Sequence, residues 1–341
     1  MRRIKNSLLV LLSLLLLFLA GEATVRGLQH YEYLPDYSKP PAISAEQQRA
    51  NKNLIALRPV EDSRLYVEFD PADDRINSYG FRGPEPDIEK TPGVFRIAVI
   101  GDSVAFGYGV TREESFPYVL EQSLKAQGIA VEILNFSVSG YGIEAYDALY
   151  ETKVRQFSPD AVVLSYVLND ILPPQAMFQL IGSAMRQGAQ LRQTANTSQF
   201  AAWLMTAWGK ASGKIMFNVI HRVTYQSDET HQMIRNHLLH IKTMTAADHT
   251  PLVVFIFPAF TDFDGYSLQS AHEVIHNELQ GLGIPFHDLL GDYISLDAAA
   301  VRLTPDDVTH PNAYGHRIAA ASVERELKQR NVIPAASTAA K

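Results

Sequence analysis

From residue 93 onward the apolar and polar positions of this chain follow two alternating rhythms. Short, almost unbroken apolar runs sit near 95–100, 131–136, 161–166, 252–257 and 284–288. Between them apolar residues recur at helical spacing over about 115–127, 143–157, 266–282 and 312–330. A run buried on both faces has no polar side to show, so each short run reads as a strand inside a sheet. Strands that alternate with helices predict an α/β fold, with a parallel sheet covered by helices on both faces.

Two stretches break the rhythm. Residues 172–250 separate the third and fourth strands and are rich in Leu, Met and Phe, with Trp203 and Trp208 at mixed helical spacing. An insertion there leaves the C-terminal edge of the sheet and reads as a helical cap. Its apolar residues have three uses open to them: packing the cap onto the sheet, lining an acyl pocket, or touching a membrane. Residues 29–92 are polar and contain Tyr31, Tyr33, Pro35, Pro40 and Pro41, with a short strand expected at Leu65–Phe69. They read as a linker and docking extension. The Ala/Ser-rich end, 332–341, reads as a disordered tail.

The first 28 residues change the picture again. Arg2, Arg3 and Lys5 precede an almost pure Leu/Val/Phe run from Leu8 to Ala20, the pattern of an export signal or an N-terminal anchor. Gly21-Glu22-Ala23 offers a small-x-small cleavage site, whereas extension of the helix through Leu28 favours a retained anchor. Either way the basic end predicts that residues past about 30 lie outside the cytoplasm, on the periplasmic or extracellular face. A net charge of −7 gives no basic surface for nucleic acid, and a chain with no cysteine has no disulfide to form.

The candidate chemistry is carried by Gly101-Asp102-Ser103, just after the first strand, and Asp307-Val308-Thr309-His310 near the C-terminus. A serine hydroxyl is a poor nucleophile until an imidazole takes its proton, and the imidazole needs an acceptor to fix its tautomer. Ser103, His310 and Asp307 supply those three roles. Ser103 falls at the C-terminal edge of a strand, where open α/β sheets bind ligands. Asp102-Ser103 also suits a simple helix cap. A G-x-S-x-G elbow is not formed, because Ala105 stands where the second glycine would be.

Gly101-Asp102-Ser103, Gly140 within Asn135–Gly140, Asn169-Asp170 after the run Ala161–Leu168, and Asp307-x-x-His310-Pro311-Asn312 resemble, in order, the four signature blocks of the SGNH/GDSL hydrolases. The resemblance covers about 93–171 and 250–328. It implies a three-layer, flavodoxin-like fold with a five-stranded parallel sheet over 93–331. It also implies that Ser103 is nucleophile, His310 base and Asp307 its partner, with an oxyanion hole from the Ser103 and Gly140 N–H groups and the Asn169 amide. Val167 stands where the third block usually carries glycine. Asn77–Gly83 resembles a stretch found upstream of the first block in exported members, and two readings of its Arg82 are open: a turn packed on the sheet edge, or a substrate contact.

These residues lead to the expectation of a serine esterase acting on an acylated carbohydrate or lipid, with no metal or organic cofactor. The alternatives are an O-acetyltransferase for an envelope or exported polysaccharide, using the same triad, and a non-catalytic scaffold or carbohydrate-binding module. His231, His237 and His240 lack the spacing of a zinc helix and read as a solvated face; His287 and His316 read as structural or surface residues.

Overall fold

Residues 2–39, 55–172, 174–305 and 307–335 are described in a computed structural model. They form two compact units, one of Met1–Ile43 with Gln179–Val219, the other of Ser44–Phe178 with Ile220–Lys341. Pro40, Pro41 and the rest of 40–54, and the last part of the tail, 336–341, lie outside the described residues. The first unit holds helix α1 (Arg2–His30).

The second unit opens with an antiparallel ribbon, β1 (Leu57–Pro59) and β2 (Val67–Phe69). The main sheet comprises β3 (Phe95–Ile100), β4 (Val131–Asn135), β5 (Ala161–Val167), β6 (Leu252–Phe257) and β7 (Phe286–Asp288), all parallel, in the order β4-β3-β5-β6-β7. That is the five-stranded flavodoxin-like order, with its switch point beside β3. All residues of β5 are buried, which is why its sequence reads as an apolar run broken only by Ser165.

The helices include α2 (Ser103–Phe106), α3 (Phe116–Ala126), α4 (Ile143–Leu149), α5 (Pro174–Thr197), α6 (Gln199–Tyr225), α7 (Asp228–Ala247), α8 (Gln269–Leu282) and α9 (Ala313–Gln329), with single turns at Leu290–Tyr293 and Ala298–Val301. α3 and α9 pack on each other. They bury Leu120, Leu124, Val323 and Leu327 with the strand residues Ile97, Val99, Val253 and Phe255 in one core cluster. α7 packs on α4 and on α8, so helices flank the sheet in three layers. Asn312 starts α9 by accepting the N–H groups of Tyr314 and Gly315, satisfying donors that a helix start leaves free.

Three expectations change. Within 172–250, α7 buries Ile234, Leu238 and Ile241 and joins the helical layer, so it is not part of a cap. His237 and His240 are not simply solvated, because both rings bond Asp147 of α4, at 2.9 and 2.6 Å. The tail begins later than 332: Val332 and Ile333 pack on the core. The docking extension packs on its neighbours through aromatic rings. Phe69 lies on Phe106 and Phe81 on Phe136, and the Tyr141 hydroxyl donates to Val67 O at 2.5 Å.

Candidate active site

β3 runs straight into the candidate nucleophile. At Gly101 a Cβ would lie 2.9 Å from Ser165 Cβ and 2.7 Å from Ala105 Cβ, so only glycine lets the chain turn this close to β5. Asp102 then caps the single helical turn α2, its Oδ1 accepting the Val104 N–H at 2.8 Å. Gly107, at φ 83°, ends the turn. Ser103 is the first residue of that turn and is 8% exposed. Asp102 is fully buried, and burial pushes its carboxyl above the usual carboxylate range.

The loop before α9 brings the candidate base. Phe260 donates its N–H to Val308 O at 2.6 Å, Leu303 to His310 O at 2.9 Å, and Asn312 to Val301 O at 2.8 Å. Asp307 Oδ1 accepts the N–H groups of Thr309 and His310, both at 2.9 Å. The same carboxylate meets His310 Nδ1 at 2.9 and 3.1 Å, and His310 Nε2 lies 2.9 Å from Ser103 Oγ. Burial alone would push the Asp307 carboxyl up, but the His310 charge and the ring and backbone N–H donors outweigh it and hold it below its ordinary value. An ionised Asp307 makes Nδ1 the donor nitrogen and leaves Nε2 to accept from Ser103. The serine proton has a second acceptor, Asp102 Oδ2, at the longer distance of 3.2 Å.

Gly140 and Asn169 lie past β4 and β5, the two neighbours of β3. Gly140 takes φ 87° inside a turn closed by Tyr141 N–H to Val138 O at 3.1 Å. The turn is tied to the first block by Val138 N–H to Gly101 O at 3.2 Å. Asn169 sits in the short turn after β5, and its buried Oδ1 has no hydrogen-bond partner among the described residues. Val167 ends β5 in extended conformation, φ −114° and ψ 150°, so a β-branched residue fits where the family has glycine.

Three contributors act on partners distant in sequence. The Tyr108 ring lies against the His310 ring at 4.4 Å and 34°. At Gly142 a Cβ would sit 2.8 Å from Leu172 O, so that glycine lets the Gly140 loop abut the Asn169 loop. Arg82, 7% exposed, donates to the carbonyls of Phe106, Gly107 and Val110 and stacks over the Phe106 ring. It is neither a surface turn residue nor joined to the triad; it clamps the segment that follows Ser103.

Trp203 and Trp208 belong to the other unit, Trp203 stacked on Phe200 at 5.9 Å. His272, His276 and Asp288 hold their ligand atoms within 4.8 Å of one another. Hydrogen bonds account for that cluster: both rings meet Asp288 Oδ2, and His272 Nε2 meets the Tyr266 hydroxyl.

The family described as GDSL-like lipase/acylhydrolase matches residues 99–318. No curated protein matches the chain. Among solved structures it is similar to TesA, at 12% identity, with 69% of this chain and 98% of that chain covered and a TM-score of 0.45. It is likewise similar to the acetyl xylan esterase AlAXEase (16%, 67% and 98%, 0.43) and to the esterase EstA from Pseudoalteromonas sp. (12%, 69% and 98%, 0.44). The family match spans more than half of the chain and takes in all four blocks: this protein belongs to the GDSL-like lipase/acylhydrolase family and is an ester-hydrolysing enzyme.

Proposed function

We propose that the protein is an extracytoplasmic serine esterase, held to the membrane by α1, that works through Ser103, His310 and Asp307. The observation that carries the reading is the unbroken hydrogen-bond chain from Ser103 Oγ through His310 to Asp307, at 2.9 Å on each side of the ring. His310 Nε2 takes the hydroxyl proton as Ser103 Oγ attacks the ester carbonyl. Asp307 holds the ring's tautomer and stabilises the imidazolium. The negative oxygen of the tetrahedral intermediate is met by the N–H groups of Ser103 and Gly140 and the Asn169 amide. His310 returns the proton to the leaving alcohol, and water, activated by the same ring, cleaves the acyl-enzyme.

Support for the location comes from α1, in which the 21 residues Val10–His30 are long enough to span a bilayer and include an 18-residue window of mean hydropathy 1.7. The basic residues before it set the orientation with the rest of the chain outside. The test is hydrolysis of p-nitrophenyl acetate, butyrate and octanoate by the full chain beside Ser103→Ala. Turnover that disappears in the variant supports the reading. Equal turnover by the two folded proteins refutes it.

A further inference from the structure

The unit that contains α1 has a feature that the hydrolase chemistry does not use. α5 and α6 meet at a tip where Ser198 alone is non-helical, and the tip lies against α1. Phe200 packs edge-on to Phe18 at 5.6 Å and covers Gly21, where a Cβ would lie 2.7 Å from the Phe200 ring. Gln29 Nε2 donates to Gln199 Oε1 at 2.7 Å.

Glu22 caps the tip from outside. It accepts Ser198 Oγ–H at 2.7 Å, Gln199 N–H at 3.1 Å and Phe200 N–H at 2.9 Å. Ser198 N–H goes to Thr194 O, Ala201 N–H to Ser198 Oγ, and Ala202 N–H to Ser198 O. A helix start normally leaves its first N–H groups to water; here all five, from Ser198 to Ala202, have protein acceptors. That meets, for the backbone donors, the condition under which a helix start enters a membrane.

Position along α1 gives the depth. At 1.5 Å per residue the candidate span Val10–His30 is about 31 Å long, and Glu22 lies about 12 Å inside its outer end. Whatever packs at Phe18, Gly21 and Glu22 is therefore inside the span. Phe200, Leu204 and Trp208 follow at i, i+4 and i+8, on one side of α6. Phe200 is used against α1, whereas Leu204 is 46% and Trp208 76% exposed, with Met205 beside them at 39%. In the sequence Lys210 and Lys214 come next, the mix of Trp, apolar and basic residues found in helices of the membrane interface.

Resting on the reading of α1 as a membrane span, we propose that α1 is retained in the mature protein and that the α5–α6 tip is seated beside it in the outer leaflet, with Leu204, Met205 and Trp208 against lipid. Cleavage at Gly21-Glu22-Ala23 would strip the tip of Phe18, Gly21 and Glu22 together.

The chain has two tryptophans, Trp203 and Trp208, both on α6, so intrinsic fluorescence reports this helix alone. The full chain is reconstituted in phosphatidylcholine vesicles with and without acyl-brominated lipid, and its N-terminal peptide is identified by mass spectrometry after expression in membranes. The expected result is an intact N-terminus and loss of tryptophan emission in brominated vesicles, with most of that loss abolished in Trp208→Phe. Glu22→Ala is expected to stay with the vesicles while its quenching falls. Vesicle-bound protein with unquenched emission overturns the seated tip and leaves the anchor standing. A mature chain that starts after the Gly21–Ala23 site overturns retention and the anchor reading together.

Discussion

The Arg82 guanidinium donates to the Gly107 carbonyl at 3.1 Å, at the residue where the helical turn carrying Ser103 ends. Two more of its bonds reach Phe106 O and Val110 O, at 3.2 and 3.1 Å. Tyr108, which lies against His310, falls inside the clamped segment. Burial lowers the guanidinium to about 10, so it stays charged at neutral pH. A charge kept buried among main-chain oxygens is costly unless well bonded, and this one positions the nucleophile loop.

Arg82→Ala removes a donor from each of those carbonyls, leaving Gly107 O only the Val110 N–H at 3.3 Å, and a displaced loop moves Ser103 and Tyr108 together. Expected is a fall in kcat of about 10- to 100-fold with KM little changed, with partial recovery on adding guanidinium ion. Arg82→Lys keeps the charge but not the three-way geometry and falls between. Steady-state kinetics with and without guanidinium check this. A loss of stability with unchanged kcat would assign Arg82 a purely structural role.

Asp307→Asn removes the acceptor that fixes the His310 tautomer. In proteins with this triad logic such a change costs up to about 10⁴-fold in kcat, and a loss approaching that is expected here. Because Asp307 is held below its ordinary value, the wild-type carboxylate stays ionised well into acid. Its stabilising pairing is present above the unfolded carboxylate pKa and lost only as pH falls through the lower folded value. Kinetics at neutral pH and melting curves between pH 7 and 3 measure both effects.

Asn169→Ala removes one proposed donor for the oxyanion, and the expected fall in kcat is about 10²- to 10³-fold. Gly142→Ala acts on the same centre indirectly, by forcing the Gly140 loop off the Leu172 carbonyl. It should lower kcat less, and lower the melting temperature, whereas Asn169→Ala should leave melting almost unchanged. Parallel kinetics and thermal melts separate the two.

Asp170 is buried, and burial, then the Asp102 charge, push its carboxyl well above the ordinary value despite the Val167 N–H. For a carboxyl raised in the folded state, stability is full below the unfolded pKa and falls as pH rises toward the folded one. Asp170→Asn, which can still accept from Val167, is therefore expected to melt higher than wild type at pH 8. The gap should close toward pH 4. A lower melting temperature at pH 8 would contradict this.

The sheet was legible because strands buried on both faces carry nearly continuous apolar runs, and the hydrogen-bonded cluster of Ser103, His310 and Asp307 because its members fall in short motifs. Tyr108 and Gly142 were not, and Arg82 stood out in its motif without its role, since each acts on atoms far along the chain. α7 was hidden inside the long insertion, although Ile234, Leu238 and Ile241 recur at the spacing of a helix buried on one side. His237 and His240 looked solvated because their partner, Asp147, lies on a different helix.

The central claim is that Ser103 carries the acyl group. The full chain, treated with a fluorophosphonate and digested, is mapped by mass spectrometry beside Ser103→Ala and His310→Ala. The account predicts one adduct, on the peptide holding Ser103, absent in Ser103→Ala and formed far more slowly in His310→Ala. An adduct on another residue, or none on the folded, ester-hydrolysing protein, would contradict it.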